Sequence, residues 1–284
     1  MNRWFCIGNG ESRKPLNLDS LREYGKLIGC NALYRNFTPD VLISVDHEIS
    51  HEVYRSGYCK ENVAYLRDWN RMPEQSYELL TDLNLISETN QKNYIDENEK
   101  GDRKEFVMHG INIDQMKKLK NEIVEKNPDL PKQDLDLMFT RGGLWITWLN
   151  ESDKASSTID AIGGGDYGFS SGPLSSLIAT YKYKADEIYF VGHDLYSEDE
   201  YVNNIYKNTN CYLVDKATAV YCGNWIQQHK LVFDKFPQTQ FYKVNPKDSA
   251  KINKRVDEWN ECENLHYINY NDLLKKFKNI VYDE

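Results

Sequence analysis

The chain has 284 residues, of which 40% are hydrophobic and 13% aromatic, and a net charge of −9. That is enough apolar chain to bury a sizeable core and too much for a disordered one, while no apolar run approaches the roughly 18 residues a spanning helix needs. The acidic balance argues against a general nucleic-acid coat, whose affinity comes from neutralising phosphates, though it leaves room for a local basic groove.

Met1-Asn2-Arg3 leads directly into the apolar run Trp4-Phe5-Cys6-Ile7. The expectation is a chain without a secretory leader, working in the cytoplasm. The run stops at Gly8-Asn9-Gly10-Glu11-Ser12, and a helix-leaning segment follows from Leu16 to Tyr24. Strand, glycine turn and helix start in that order mark a ligand-binding edge in open α/β sheets. The spacing is not the three-glycine dinucleotide fingerprint, and a turn that serves folding alone fits it too. Further strands are predicted at Lys26 to Gly29, Val41 to Val45 and Val63 to Leu66, with a short helix over Glu48 to Ser56 closed by Gly57. Continuous short apolar runs separated by helices predict a parallel sheet covered on both faces.

Between residues 70 and 165 the rhythm changes to Glu, Asn and Lys. Helices are predicted over Tyr77 to Ile86 and Asp114 to Glu125, with a polar loop over Asn84 to Arg103. The stretch reads as a helical insertion or lid on the acceptor side, tied down by Trp145 and Trp148 or simply anchored to the core by them. Residues 1–69 and 166–284 then form the sheet domain. Ser171 and Pro173 start a helix through Tyr181. Ile188 to Gly192 is the clearest strand. A long helix is expected over Asp215 to Phe236, strands at Gln240 to Val244 and Leu265 to Ile268, and a closing helix at Asn271 to Lys278.

In a parallel sheet the residues just past the carboxyl ends gather on one rim. These are Gly8, Asn9 and Gly10, then Asn31, Asp46 and His47, then His193 and Asp194, joined by Ser171 and Gly172 at a helix start. Amides and carboxylates suit a ribose and a nucleobase edge, and free helix-start N–H groups suit a phosphate. The six cysteines are scattered without C-x-x-C pairs, so no metal site is expected. Asp134-Leu135-Asp136 has acidic spacing but no preceding hydrophobic strand, and reads as a solvated loop. Each rim residue has a plain alternative: Asp46 as an N-cap, His193 bonding a backbone carbonyl, His47 on the surface. His229 is expected on the outer face of its helix.

Four ordered blocks, Gly8-Asn9-Gly10-Glu11-Ser12, Gly29-Cys30-Asn31-Ala32-Leu33-Tyr34, Ser171-Gly172 and Glu187 through Tyr196, resemble blocks of the sialyltransferases of Campylobacter lipooligosaccharide synthesis and the related motility-associated glycosyltransferases. The chain is also similar to uncharacterised proteins of T4-like phages, whose setting would be the host cytoplasm. The resemblance implies a Rossmann-like fold holding a nucleotide-activated sugar, CMP- or UDP-linked, with no essential metal cofactor. It implies that Asn9 and Ser12 contact the phosphate and ribose side and that Asn31 and Asp46 line the nucleotide–sugar junction. Ser171 and Gly172 would meet the donor sugar or its phosphate, and Asp194 and Tyr196 would hold the base or ribose or assist the leaving phosphate. The family's general base is a His in a Gly-His pair, and Gly223-Asn224 stands at that position here. An amide cannot accept the proton, which leaves Asp46, His47 and His193 as catalytic candidates, an Asp base suiting transfer onto a hydroxyl.

The phage likeness points to a hydroxymethylated cytosine in DNA as acceptor, flipped from its duplex and gripped by Lys243, Lys247, Lys251, Lys254 and Arg255 or by Lys117, Lys118 and Lys120. Solvated helix faces explain both runs equally. Three other functions stay open: a saccharide-directed sialyltransferase-like enzyme, a hydroxymethylpterin-type pyrophosphokinase holding Mg²⁺ on Asp46 and Asp194, and a nucleotide-binding module without catalysis.

Overall fold

The computed structural model describes residues 1–67, 70–73, 105–109, 145–149, 154–163, 168–246 and 249–282, with isolated positions between 121 and 129. In chain order the elements are β1 (Arg3–Ile7), β2 (Lys26–Cys30), β3 (Val41–Ser44), α1 (His47–Arg55) and β4 (Ala64–Leu66). Next come β5 (Asn70–Pro73), β6 (Glu105–His109), β7 (Trp145–Leu149), β8 (Ala155–Ser157), α2 (Thr158–Ala161) and α3 (Ser171–Tyr181). The chain finishes with β9 (Glu187–Val191), α4 (Gly223–Lys235), β10 (Gln240–Asn245), β11 (Leu265–Asn269) and α5 (Tyr270–Lys276).

Eight strands form one sheet in the order β11-β10-β9-β1-β2-β3-β4-β8, and every pairing in it is parallel. This is the parallel α/β sheet that the short apolar runs predict, and the Rossmann-like fold that the resemblance implies. Alternation along β1 sends Phe5 and Ile7 to one face and Trp4 and Cys6 to the other. In β9, Tyr189 and Val191 join the first face, Ile188 and Phe190 the second. Two apolar layers result, and each fully buried large side chain such as Phe5 or Tyr189 contributes about 1.5–3 kcal/mol. Helix α3 packs across β1, β2 and β3 and against α4 on the second face.

The structure departs from the sequence expectations at identifiable points. Leu16 to Tyr24 is no α-helix but contains a single 3-10 turn at Leu18–Leu21. Asn17 Oδ1 accepts from Asp19 N and Ser20 Oγ donates to Asn17 O, and such local side-chain bonds compete with helix continuation. The helix expected from Asp215 begins only at Gly223. Asn208 and Cys211 take left-handed φ of 65°, and Asn208 Oδ1 draws in Asp215 N at 2.9 Å, closing a turn instead. Within residues 70–165 the described strands β5, β6 and β7 form an antiparallel sheet, which the expectation of a helical insertion or lid does not include. β-Branched and aromatic residues such as Trp145-Ile146-Thr147-Trp148 favour strands. Strand β8 also falls in that stretch, yet it pairs with β4 in the main sheet. The helix expected at Tyr77 to Ile86, the loop at Asn84 to Arg103 and Asp134-Leu135-Asp136 lie outside the described residues, as do Lys117, Lys118, Lys120 and Lys247. Among the described residues no helix is long and apolar enough to cross a membrane.

Candidate nucleotide-binding site

From β1 the chain steps outward through β2, β3, β4 and β8, then returns to lay β9 on the opposite side of β1. The strand order therefore reverses between β1 and β9, and ligands bind outside the carboxyl ends at such a switch point. A cavity of about 260 Å³ lies there. Its wall takes in Gly8, Asn9 and Gly10 after β1, Asn31 after β2, Asp46 after β3, Ser171 and Gly172 at the start of α3, and His193 and Asp194 after β9.

The glycine turn is wired to the end of β9. Gly8 N and Gly10 N donate to Val191 O and Gly192 O at 2.8 and 2.9 Å. A Cβ on Gly8 would stand 2.4 Å from Gly192 O, and one on Gly10 would stand 2.3 Å from Asp194 Oδ2, so both positions require glycine. Asp194 accepts from Ser12 N at 2.9 Å, from Ser12 Oγ at 2.5 Å and from Asn203 Nδ2 at 3.2 Å. From beneath, the guanidinium of Arg13, only 5% exposed, donates Nε–H to Gly8 O at 2.7 Å.

A second wire crosses the mouth. Ser171 Oγ donates to Asn31 Oδ1 at 2.8 Å, and Asn31 Nδ2 donates to Asp46 Oδ2 at 3.3 Å. Asn31 itself adopts φ 50°, a conformation Asn tolerates better than most residues. Asp46 precedes α1 but makes no side-chain cap bond, and its carboxylate is exposed. Ser170 likewise leaves the N-terminus of α3 without a side-chain cap, and Pro173 has no N–H. The N–H groups of the first turn are thereby available to an anion at the positive end of the helix dipole.

The far wall comes from α4, which contributes Trp225 and His229. His229 does not face outward as expected: it is 3% exposed, edge-on to Phe190 at 4.9 Å and 5.5 Å from His193. His193 bonds the Cys6 backbone, as the plain alternative had it, and burial with the nearby Lys243 charge depresses its pKa to about 3. Burial pushes His229 well below its ordinary value too, helped by His193 and Lys243. Both rings are neutral at neutral pH. His193 Nε2, His229 Nδ1 and Asn9 Oδ1 are buried without a hydrogen-bond partner, and these three residues belong to the cavity wall, where such atoms are open to a ligand or to water.

Not every expected residue meets here. Ser12 spends its hydroxyl on Asp194 and is absent from the cavity wall. Tyr196 also lies off the wall, its ring under Lys254 Nζ at 5.7 Å. Asn224 is exposed on α4 and off the wall. The backbone of His47 starts α1, beside Asp46. Lys243 leaves the proposed basic run altogether, being 3% exposed with Nζ on Asn245 Oδ1 at 2.5 Å. Sequence reasoning missed Arg13, Trp225, Asn203 and Asn204 as parts of the site or its support. For Arg13 a signal existed: it directly follows Ser12 in the glycine-turn block. Among the described residues no three His, Cys, Asp or Glu side chains come together to hold a metal ion. Asp194, needed as a Mg²⁺ ligand by the pyrophosphokinase alternative, is already engaged by Ser12 and Asn203.

No protein-family model and no curated protein matches the chain. Two solved structures are similar to it over nearly its whole length. One is the sialyltransferase CST-II in complex with trisaccharide acceptor and CMP, at 13% identity and TM-score 0.38, covering 98% of this chain and 99% of that one. The other is the sialyltransferase CstII from Campylobacter jejuni with the substrate analogue cytidine-5'-monophosphate, at 14% identity and TM-score 0.33, covering 98% and 100%.

Proposed function

We propose that the chain is a glycosyltransferase that takes a sugar from a nucleotide-activated donor held at the β1/β9 switch point. The observation that carries this reading is the convergence of four sequence blocks on one cavity: the glycine turn, Asn31, the start of α3 and the His193-Asp194 strand end. The open N-terminus of α3 suits the donor phosphate. Asn9 Oδ1 offers an acceptor to a base or ribose donor group. Of the catalytic candidates, Asp46 fits a general base best. It is exposed at the rim and oriented by Asn31, whereas His193, with its pKa near 3, is a poor proton acceptor at neutral pH. Asp46 would take the proton of the acceptor hydroxyl as that oxygen bonds the sugar's anomeric carbon and the nucleotide phosphate leaves. The second wire, through Ser171, would link that base to the helix start holding the phosphate.

The test is thermal shift and donor turnover with CMP- and UDP-sugars, each with and without EDTA. Stabilisation by nucleotide sugars together with nucleotide release that Asp46→Asn reduces by about 10²-fold or more is the expected result. No stabilisation by any nucleotide or nucleotide sugar overturns it. Full loss of turnover on chelation favours the pyrophosphokinase. The acceptor we propose is a hydroxymethylated cytosine in DNA, whose use would fall steeply with salt; saccharide use without that dependence would overturn this part.

A further inference from the structure

The charged side chains lining the cavity, among the described residues, are the carboxylates of Asp46 and Asp194. A nucleotide phosphate entering such a cavity needs positive charge from somewhere. The α3 N-terminus supplies about half a charge. Behind the wall stands Lys243. Its strand position pairs with Phe190 in the β9–β10 register, and Phe190 is the ring packed against both His193 and His229. The ammonium donates to Asn245 Oδ1, a neutral partner that is itself buried, and no ion pair to it is found among the described residues. An ammonium buried with a single neutral partner is costly to the fold.

We propose that Lys243 is a positioning residue of this cavity: a buried ammonium that the fold does not need, retained to offset the anionic part of the bound ligand through the intervening His193–His229 pair. The groups that face it are Asn245 on its own strand, Asp194 and His193 at the end of β9, and His229 on α4. Asp194 favours its charge, and burial disfavours it more, bringing its pKa down to about 8. The ammonium is therefore largely charged at neutral pH. The two histidines are neutral and lie within its field, so neither adds a second charge between the ammonium and the cavity. The affinity arm of this inference rests on the nucleotide reading above; the stability arm does not.

The experiment compares the wild-type chain with Lys243→Met and Lys243→Arg. Lys243→Met is expected to melt at or above wild type at pH 7, because an apolar side chain replaces a strained charge. Its advantage should shrink toward pH 10. A lysine whose folded pKa is depressed costs stability in full below that pKa, and the cost is relieved as pH rises towards the unfolded value. Affinity for CMP and UMP should fall about tenfold in Lys243→Met, with affinity for cytidine and uridine unchanged and Lys243→Arg restoring the nucleotides. If Lys243→Met does not fold, Lys243→Gln, which keeps a donor for Asn245, is measured in its place. Lower melting at both pH values, or nucleotide affinity equal to wild type, overturns the proposal and leaves the nucleotide reading standing. A wild-type chain that binds no nucleotide overturns both.

Discussion

His193 and Asp194 are adjacent in sequence and opposite in character. Asp194 belongs to a finished frame. Its carboxylate collects three hydrogen bonds, from Ser12 N, Ser12 Oγ and Asn203, and the glycine turn is stitched to β9 by two more. His193 belongs to an unfinished wall. Its Nε2 and the Nδ1 of its neighbour His229 are buried without partners, and burial keeps both imidazoles neutral. The contrast separates a part of the rim whose polar groups are already satisfied from a part whose hydrogen-bonding capacity is still unused.

Acid is the strongest way to break that contrast. Both histidines have folded pKa values below the ordinary 6.5. Their neutral forms stabilise the fold fully above pH 6.5, and the contribution is lost as pH falls below it, because the unfolded chain takes up protons the folded chain refuses. Each histidine then adds up to about 1.4 kcal/mol of destabilisation per pH unit. Urea titrations from pH 7 to pH 4 should show this slope, and His229→Phe should remove about half of it. A flat profile in this range would mean that the rings are not held neutral.

The frame breaks by a different route. Gly8→Ala places its methyl carbon against the backbone oxygen of Gly192, which cannot move aside as a side chain would. Overpacking of this kind costs about 1–3 kcal/mol, read as a shifted denaturation midpoint with an unchanged pH slope. Ser12→Ala is the mildest cut. It removes one bond to Asp194 while the backbone N–H bond remains, and a loss of about 1 kcal/mol is expected. Nucleotide affinity should change little, because Ser12 is off the cavity wall; a tenfold loss would put its hydroxyl back on the ligand.

The rim was legible in the sequence because a parallel sheet gathers strand ends by geometry alone. Asn9, Asn31, Asp46, His193 and Asp194 could be named from where apolar runs stop, and Ser171 and Gly172 from a helix start. Tyr196 and Ser12 stand off the cavity wall because proximity along the chain says nothing about which way a side chain turns. Lys243 was misassigned because its charge dominated the reading. In Phe241-Tyr242-Lys243-Val244 the lysine shares the parity of Phe241, and in a parallel sheet covered on both faces a central strand buries either parity. His229 carried a signal in its spacing: Ile226, His229 and Phe233 stand at i, i+3 and i+7 of α4 and form one buried stripe.

The pairing of β1 with β9 also governs when this molecule can acquire its site. Arg3 and Glu187 lie opposite each other in that pair and bond across 184 positions of chain. The first strand must therefore wait, as the chain is made from its N-terminus, for a neighbour some 180 residues later. Until then Gly8-Asn9-Gly10 has no Gly192 to close upon and one edge of β1 is bare. Unpaired edges attract other chains, and closure over so long a separation is slow. The ligand site is thus assembled late, and a nucleotide present during synthesis would bind only the chain that has completed β9.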